Sequence, residues 1–207
     1  MRGCRIALTL LLWWGAAQPG TVALPAATPH SAAHAVPEAL RLQPMPFAYQ
    51  SFNNCGPQSI ASILGYYGIG VSQQVVAKAT KREPRGYMTA QAIQQYVARY
   101  GLDARRFILG QRRHLQALLR LGVPIIVLQW VDRNAAVPHF RVVTGFDNGR
   151  GVFMVLDPLF GPNLEVSYSV FDQLWTVNHS EFIPVYPATF EHQVFTALGL
   201  GTWARAR

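Results

Sequence analysis

Cysteine is nearly missing from this chain of 207 residues: only Cys4 and Cys55 are present. That excludes a disulfide framework, and no His/Cys pair has zinc-ligand spacing, so no metal or other cofactor is expected. Acidic residues are scarce as well, ten against eighteen Lys and Arg, for a net charge of +8. Taken alone, that excess allows nucleic acid, an anionic envelope polymer or a membrane surface as partner and chooses none. There is no internal repeat, which excludes a collagen-like fibre. What remains is 50% apolar and 12% aromatic, enough for one domain with a real core.

Arg2 and Arg5 precede a weakly polar run from Ile6 to Ala17, and small residues and proline follow through Ala35. This is the charged, apolar and small-residue order of a secretory signal. The run has 12 residues, against about 20 to span a bilayer, so cleavage is expected rather than anchoring. The other stretches are shorter still, and no integral membrane segment is expected after cleavage. Both Thr21-Val22-Ala23 and Ala33-His34-Ala35 offer small residues to a signal peptidase. The expected organisation is a signal over 1–23, with the cut as late as 35, a linker over 24–41, a domain over 42–187 and a tail over 188–207. The mature protein is then periplasmic or extracellular, with sixteen basic residues against ten acidic ones and one cysteine, Cys55. A lone thiol in an oxidising compartment is either buried and inert or kept for chemistry.

The first half of the domain has helical periodicity. Ile60, Ile63, Leu64 and Tyr67 share one face of a helix over 57–67 with Pro57 in its first turn. Ser72 and Thr89 are expected caps for helices ending near Lys81 and Gly101, and a fourth covers 111–121. The second half has short runs rich in Val, Ile and Phe at 124–130, 139–146, 151–157 and 181–186, and a short helix is expected near 190–198. Helices followed by strands imply an α+β fold with an antiparallel sheet.

Cys55 stands two residues before the expected helix, where unpaired N–H groups and the helix dipole favour a thiolate. Free cysteine is also a common core residue, and position alone does not decide. A thiolate nucleophile needs a base, an orienting group and an oxyanion donor. If Asp147-Asn148-Gly149 is a three-residue hairpin loop, His139 falls opposite Asp157 on the same face; a two-residue loop would turn Asp157 to the other face. Gln50 could offer its side-chain N–H₂ to an oxyanion beside the sulfur.

Gln50-Ser-Phe-Asn-Asn-Cys55-Gly56-Pro57 and Ile60-Ala-Ser-Ile-Leu-Gly-Tyr-Tyr-Gly68 resemble the nucleophile motif of the bacteriocin-processing, double-glycine-leader peptidases, which are papain-like cysteine peptidases. Pro138-His139-Phe140-Arg-Val-Val-Thr-Gly145-Phe-Asp147 is similar to their histidine strand, Leu156-Asp157-Pro158 to their aspartate motif, and Leu118 to Leu128 to the passage before the histidine. The resemblance runs from Gln50 to Pro187. It implies a papain-like fold, with the Cys-bearing helix packed on the sheet that carries His and Asp. It also implies roles: Cys55 as nucleophile, His139 as base then acid, Asp157 as its orienter and Gln50 as oxyanion donor. The best-known members are cytosolic front ends of export transporters. With an export signal, this chain is expected to act across the membrane, so cleavage of double-glycine leaders is not implied.

The expectation is therefore an exported thiol hydrolase of peptide or amide bonds, with a peptide or protein substrate. The alternatives are an acyl transferase with the same triad or a non-catalytic binding protein on the same scaffold. Nine basic residues between Lys81 and Arg120 face only Glu83 and Asp103 there. They could draw an anionic partner or serve as a solvated face. Nucleic acid is not expected, given the export signal and the lack of a reader fold.

Overall fold

The computed structural model describes residues 37–201. The expected signal over 1–23 and most of the linker over 24–41 lie outside the described residues. The linker's end is corrected: Ala39–Arg41 form a strand, β1, that pairs antiparallel with the C-terminal part of β4. Three residues with polar neighbours carry no periodic signal, which is why the sequence places the start of structure at Leu42.

Three helices follow: α1 (Cys55–Tyr66), α2 (Gln73–Thr80) and α3 (Ala90–Val97). Ser72 and Thr89 cap α2 and α3, their hydroxyls accepting from the N–H of Val75 and Ala92. Gly101, at φ 74°, ends the 3₁₀ turn after α3, in a conformation that favours glycine. A short strand β2 (Leu102–Ala104) leads to α4 (Arg112–Arg120). The sheet is completed by β3 (Ile125–Trp130), β4 (Pro138–Asp147), β5 (Val152–Asp157), β6 (Gly161–Ser167) and β7 (Phe182–Pro187). Two helices, α5 (Tyr168–Leu174) and α6 (Glu191–Ala197), flank β7 in sequence. The short terminal helix is thus present, inside the span expected as a tail.

The sheet is antiparallel throughout, in the order β2-β7-β3-β4-β5-β6, with β1 on β4. Its middle strands are buried on both faces. One face packs Ile126, Leu128, Phe140, Val142 and Val185 against Ile60, Ile63 and Leu64 of α1 and Ile93 of α3. The other packs Ile125, Val127, Val143, Phe153 and Val155 against Leu115, Leu118, Phe171 and Val194. This is the α+β class, with the Cys-bearing helix lying on the sheet that carries His139 and Asp157. The periodicity missed β6, an edge strand opening Gly161-Pro162-Asn163; proline and glycine are tolerated there because one side of the strand needs no ladder partner.

The β4–β5 hairpin differs from both expected registers. Asp147 pairs with Val152, so the loop is the four residues Asn148 to Gly151, and Asp147 Oδ1 accepts the Arg150 N–H at 2.9 Å. The register then shifts between Val143 and Gly145, which bulges Thr144, and resumes with Val142 opposite Leu156. Continued by one residue, it sets Arg141, not His139, across from Asp157. Without the bulge, Asp157 would stand opposite Val142 and point to the other face. His139 and Arg141 share the face of Asp157 because they are two residues apart.

Candidate active site

Cys55 is the first residue of α1 rather than two residues before it. Its amide therefore has no intrahelical acceptor, and the helix dipole acts on its sulfur at close range. The residue is 8% exposed. The His139 imidazole on β4 lines the same cleft as Cys55, and it and the backbone N–H groups of Gly56 and Phe140 favour a charged sulfur. Burial pushes the thiol pKa up; the bond to His139, then its charge and the two N–H groups, outweigh this and leave the thiol below its ordinary value.

His139 Nε2 lies 2.8 Å from Asp157 Oδ1. Burial lowers the imidazole pKa, but the bonds to Asp157 and Cys55 and their charges raise it above the ordinary histidine value overall. Both shifts act in one direction, towards a thiolate–imidazolium pair. Asp157 is fully buried. Burial opposes its ionisation, yet the bond to His139, the charges of His139 and Arg141 and the Leu159 N–H hold its pKa down to about 2.

The carboxylate is a hub. Its Oδ1 also accepts from the N–H of Leu159 at 2.8 Å and of Phe160 at 3.2 Å, while Oδ2 accepts from Arg141 Nε. Arg141, 5% exposed, is fixed in turn by Gln129 Oε1 at 3.2 Å and the carbonyls of Trp130 at 2.9 Å and Val131 at 2.7 Å. Sequence reasoning missed Arg141. The signal was there: a charged residue inside a Val/Phe-rich strand, two positions from His139, is buried on the same face and needs an anion.

Gln50 and His139 line one cleft with Cys55. Gln50 Oε1 is buried without a hydrogen-bond partner. The loop carrying it is tied at its own amide to Pro158 O, beside Asp157, at 2.8 Å. Gln73 of α2 clamps the residues on either side: Nε2 donates to Tyr49 O at 2.8 Å, and Oε1 accepts from Ser51 N at 2.8 Å and Asn54 Nδ2 at 3.2 Å. Gln73 is 5% exposed and was also missed, since a glutamine opening a helix gives no sequence signal of such a task.

The basic block is dispersed over several elements. Arg105 pairs with Asp103 and Glu191, Arg106 with Glu181 and Arg112 with Asp172, while Lys81 Nζ donates to Asn54 Oδ1 at 2.9 Å beside α1. Among the described residues no group of three metal-ligating side chains occurs, and no helix is long and apolar enough to cross a membrane.

The model of the Peptidase_C39 like family matches residues 42–182. Among solved structures, the fold is similar to a double glycine motif protease from an AMS/PCAT transporter in complex with the leader peptide, at 22% identity over 72% of this chain and 94% of that one, TM-score 0.55. It is similar to the peptidase domain of Streptococcus ComA, a bi-functional ABC transporter of a quorum sensing pathway, at 22% identity over 70% and 99%, TM-score 0.56. A C39-like peptidase from Bacillus anthracis matches at 19% identity over 71% and 96%, TM-score 0.55. At these identities the likeness is one of fold. No curated protein matches the sequence.

Proposed function

This chain belongs to the C39-like peptidase family, a family of cysteine peptidases of papain-like fold, and from that premise we propose that it is an exported hydrolase of peptide or amide bonds that works through Cys55, His139 and Asp157. The observation that supports the reading is the cleft that Cys55 and His139 line together, with His139 Nε2 2.8 Å from the buried Asp157 Oδ1. The Cys55 thiolate attacks the substrate carbonyl and the carbonyl oxygen gains the negative charge. Gln50 Nε2 and the Cys55 N–H stabilise that oxyanion. His139, protonated in the ion pair, delivers its proton to the leaving amine as the C–N bond breaks. The neutral imidazole then takes a proton from water, whose oxygen attacks the thioester and returns the sulfur as thiolate. Asp157 keeps the ring oriented and stabilises its charged form.

A peptide substrate accords with the leader peptide held by the similar transporter protease. Export rests on Arg2, Arg5 and the run Ile6 to Ala17, and N-terminal sequencing of the protein from a cell envelope fraction tests it. The catalytic reading is tested by digestion of a peptide library. Wild type cleaves, and Cys55→Ala loses turnover, by roughly 10³-fold or more, with an unchanged thermal melt. Hydrolysis retained by folded Cys55→Ala would remove the mechanism, and products carrying an added amine in place of water would make the enzyme a transferase.

A further inference from the structure

Of the basic residues between Lys81 and Arg120, Arg105, Arg106 and Arg112 answer carboxylates. Lys81 answers none among the described residues, and its ammonium turns instead to the two residues that lead into the nucleophile. Lys81 directly follows α2, where a lysine ordinarily serves the last carbonyls of its own helix. Its Nζ leaves them for Asn54 Oδ1 at 2.9 Å and Asn53 O at 3.3 Å. Both acceptors are themselves fixed. Asn54, 6% exposed, makes no side-chain bond to the first amides of α1, and its Nδ2 donates to Gln73 Oε1 at 3.2 Å. Asn53 is held in left-handed backbone at φ 54°, and its Nδ2 donates to Arg85 O at 2.7 Å. The ammonium is thus tied to both residues before Cys55 rather than left to swing in water.

Two amide oxygens would be served by any donor; a full charge beside them matters to an anion nearby. The first turn of α1 has no acidic residue. The other charged groups on the clefts at Cys55 are His139 from β4 and the pair of Arg106 with Glu181, which cancels. Behind His139, Arg141 answers Asp157. Tyr87, in the loop that Lys81 opens, is the remaining titratable side chain on those clefts. Burial lowers the Lys81 pKa and the charge of Cys55 raises it, so ammonium and sulfur lie within each other's field. We infer that Lys81 is a positioning residue of the hydrolase: its ammonium, fixed on Asn53 and Asn54, is a second positive charge, besides His139, that favours the ionised sulfur of Cys55. The inference rests on the hydrolase reading above and adds to it a charge that takes no part in proton transfer.

The test is the pH dependence of Cys55 alkylation by iodoacetamide, read by intact mass, in three variants. Lys81→Gln keeps a hydrogen-bond donor for the asparagines without the charge, Lys81→Met keeps neither, and Lys81→Arg keeps both. Lys81 is half-buried, so its charge is partly screened. The pH of half-maximal rate should rise by about half a unit in Lys81→Gln and Lys81→Met alike, which is a roughly threefold slower reaction below the midpoint. Lys81→Arg should keep the wild-type midpoint. A midpoint that Lys81→Gln leaves in place, or one that Lys81→Arg moves as far as Lys81→Gln does, would overturn the assignment. If Lys81→Met alone moves it, Lys81 is a strap for the turn and its charge is idle, which overturns the assignment too. Failure of the hydrolase reading is seen separately, as folded Cys55→Ala that still cleaves the peptide library.

Discussion

In the proposed mechanism four buried groups are charged together: a thiolate at Cys55, an imidazolium at His139, a carboxylate at Asp157 and the guanidinium of Arg141. Together they sum to zero. Removing Arg141 leaves a net negative cluster, which is relieved by taking up a proton at sulfur. Arg141 is therefore a positioning residue. In Arg141→Met the pH dependence of Cys55 alkylation should move to higher pH by about one unit, with Arg141→Lys shifting less. An unmoved profile in a folded variant would reduce Arg141 to a packing role. Its loss should also cost about 3–5 kcal/mol of stability, because Asp157 stays buried without its cation; urea unfolding measures that. Cys55, His139, Asp157 and Gln50 could be picked out as candidates because each is a chemically distinctive type inside a motif. Arg141 was not taken up, although the same strand displayed it, because a partner is found only when the register is known.

At the scale of elements, three local devices bring the groups together: the N-terminus of α1, the bulge at Thr144 and the clamp made by Gln73. The sequence marked α1 to α4 and α6, since their apolar spacing and the caps at Ser72 and Thr89 are local signals, but it missed α5, a helix of seven residues. It did not mark the bulge. The four-residue hairpin loop alone would have placed Asp157 on the wrong face, and the extra residue at Thr144 restores it. Gly145 follows the bulge where β1 crosses, and a Cβ there would lie 2.6 Å from Leu40 O. Such long-range contacts leave no periodic trace. The Gln73 clamp gives a separable prediction. Gln73→Leu frees Tyr49, Ser51 and Asn54 and should lower kcat by about ten- to a hundredfold with little change in KM, because in the proposed mechanism Gln50 serves the oxyanion rather than the bound substrate. Cys55 alkylation should stay near the wild-type rate, since Gln73 touches neither His139 nor the sulfur. A fall in both rates would mean that the clamp supports α1 as a whole.

At the scale of the whole molecule, the sheet carries an apolar layer on each face and the site lies at the end of β4 and β5, between α1 and the loops at 49–54 and 158–160. The class and the layering could be read in advance because helical and strand periodicities separate along the chain. The short strands β1 and β2 and the edge strand β6 could not, as their pairing is set by neighbours distant in sequence. Stability should follow pH through Asp157. Its folded pKa, about 2, is below the unfolded value, so its contribution is complete above about pH 5 and is lost as pH falls towards 2. The loss is about 2–3 kcal/mol, measurable as a fall in the urea midpoint that is smaller in Asp157→Asn. The account as a whole stands on one ion pair, and the rate of Cys55 alkylation by iodoacetamide from pH 4 to pH 10 tests it most directly. Wild type should hold its rate well below about pH 8.5, where an ordinary thiol loses tenfold per unit, and His139→Ala should return to the ordinary profile. An ordinary profile in wild type, or one that His139→Ala leaves in place, would contradict the account.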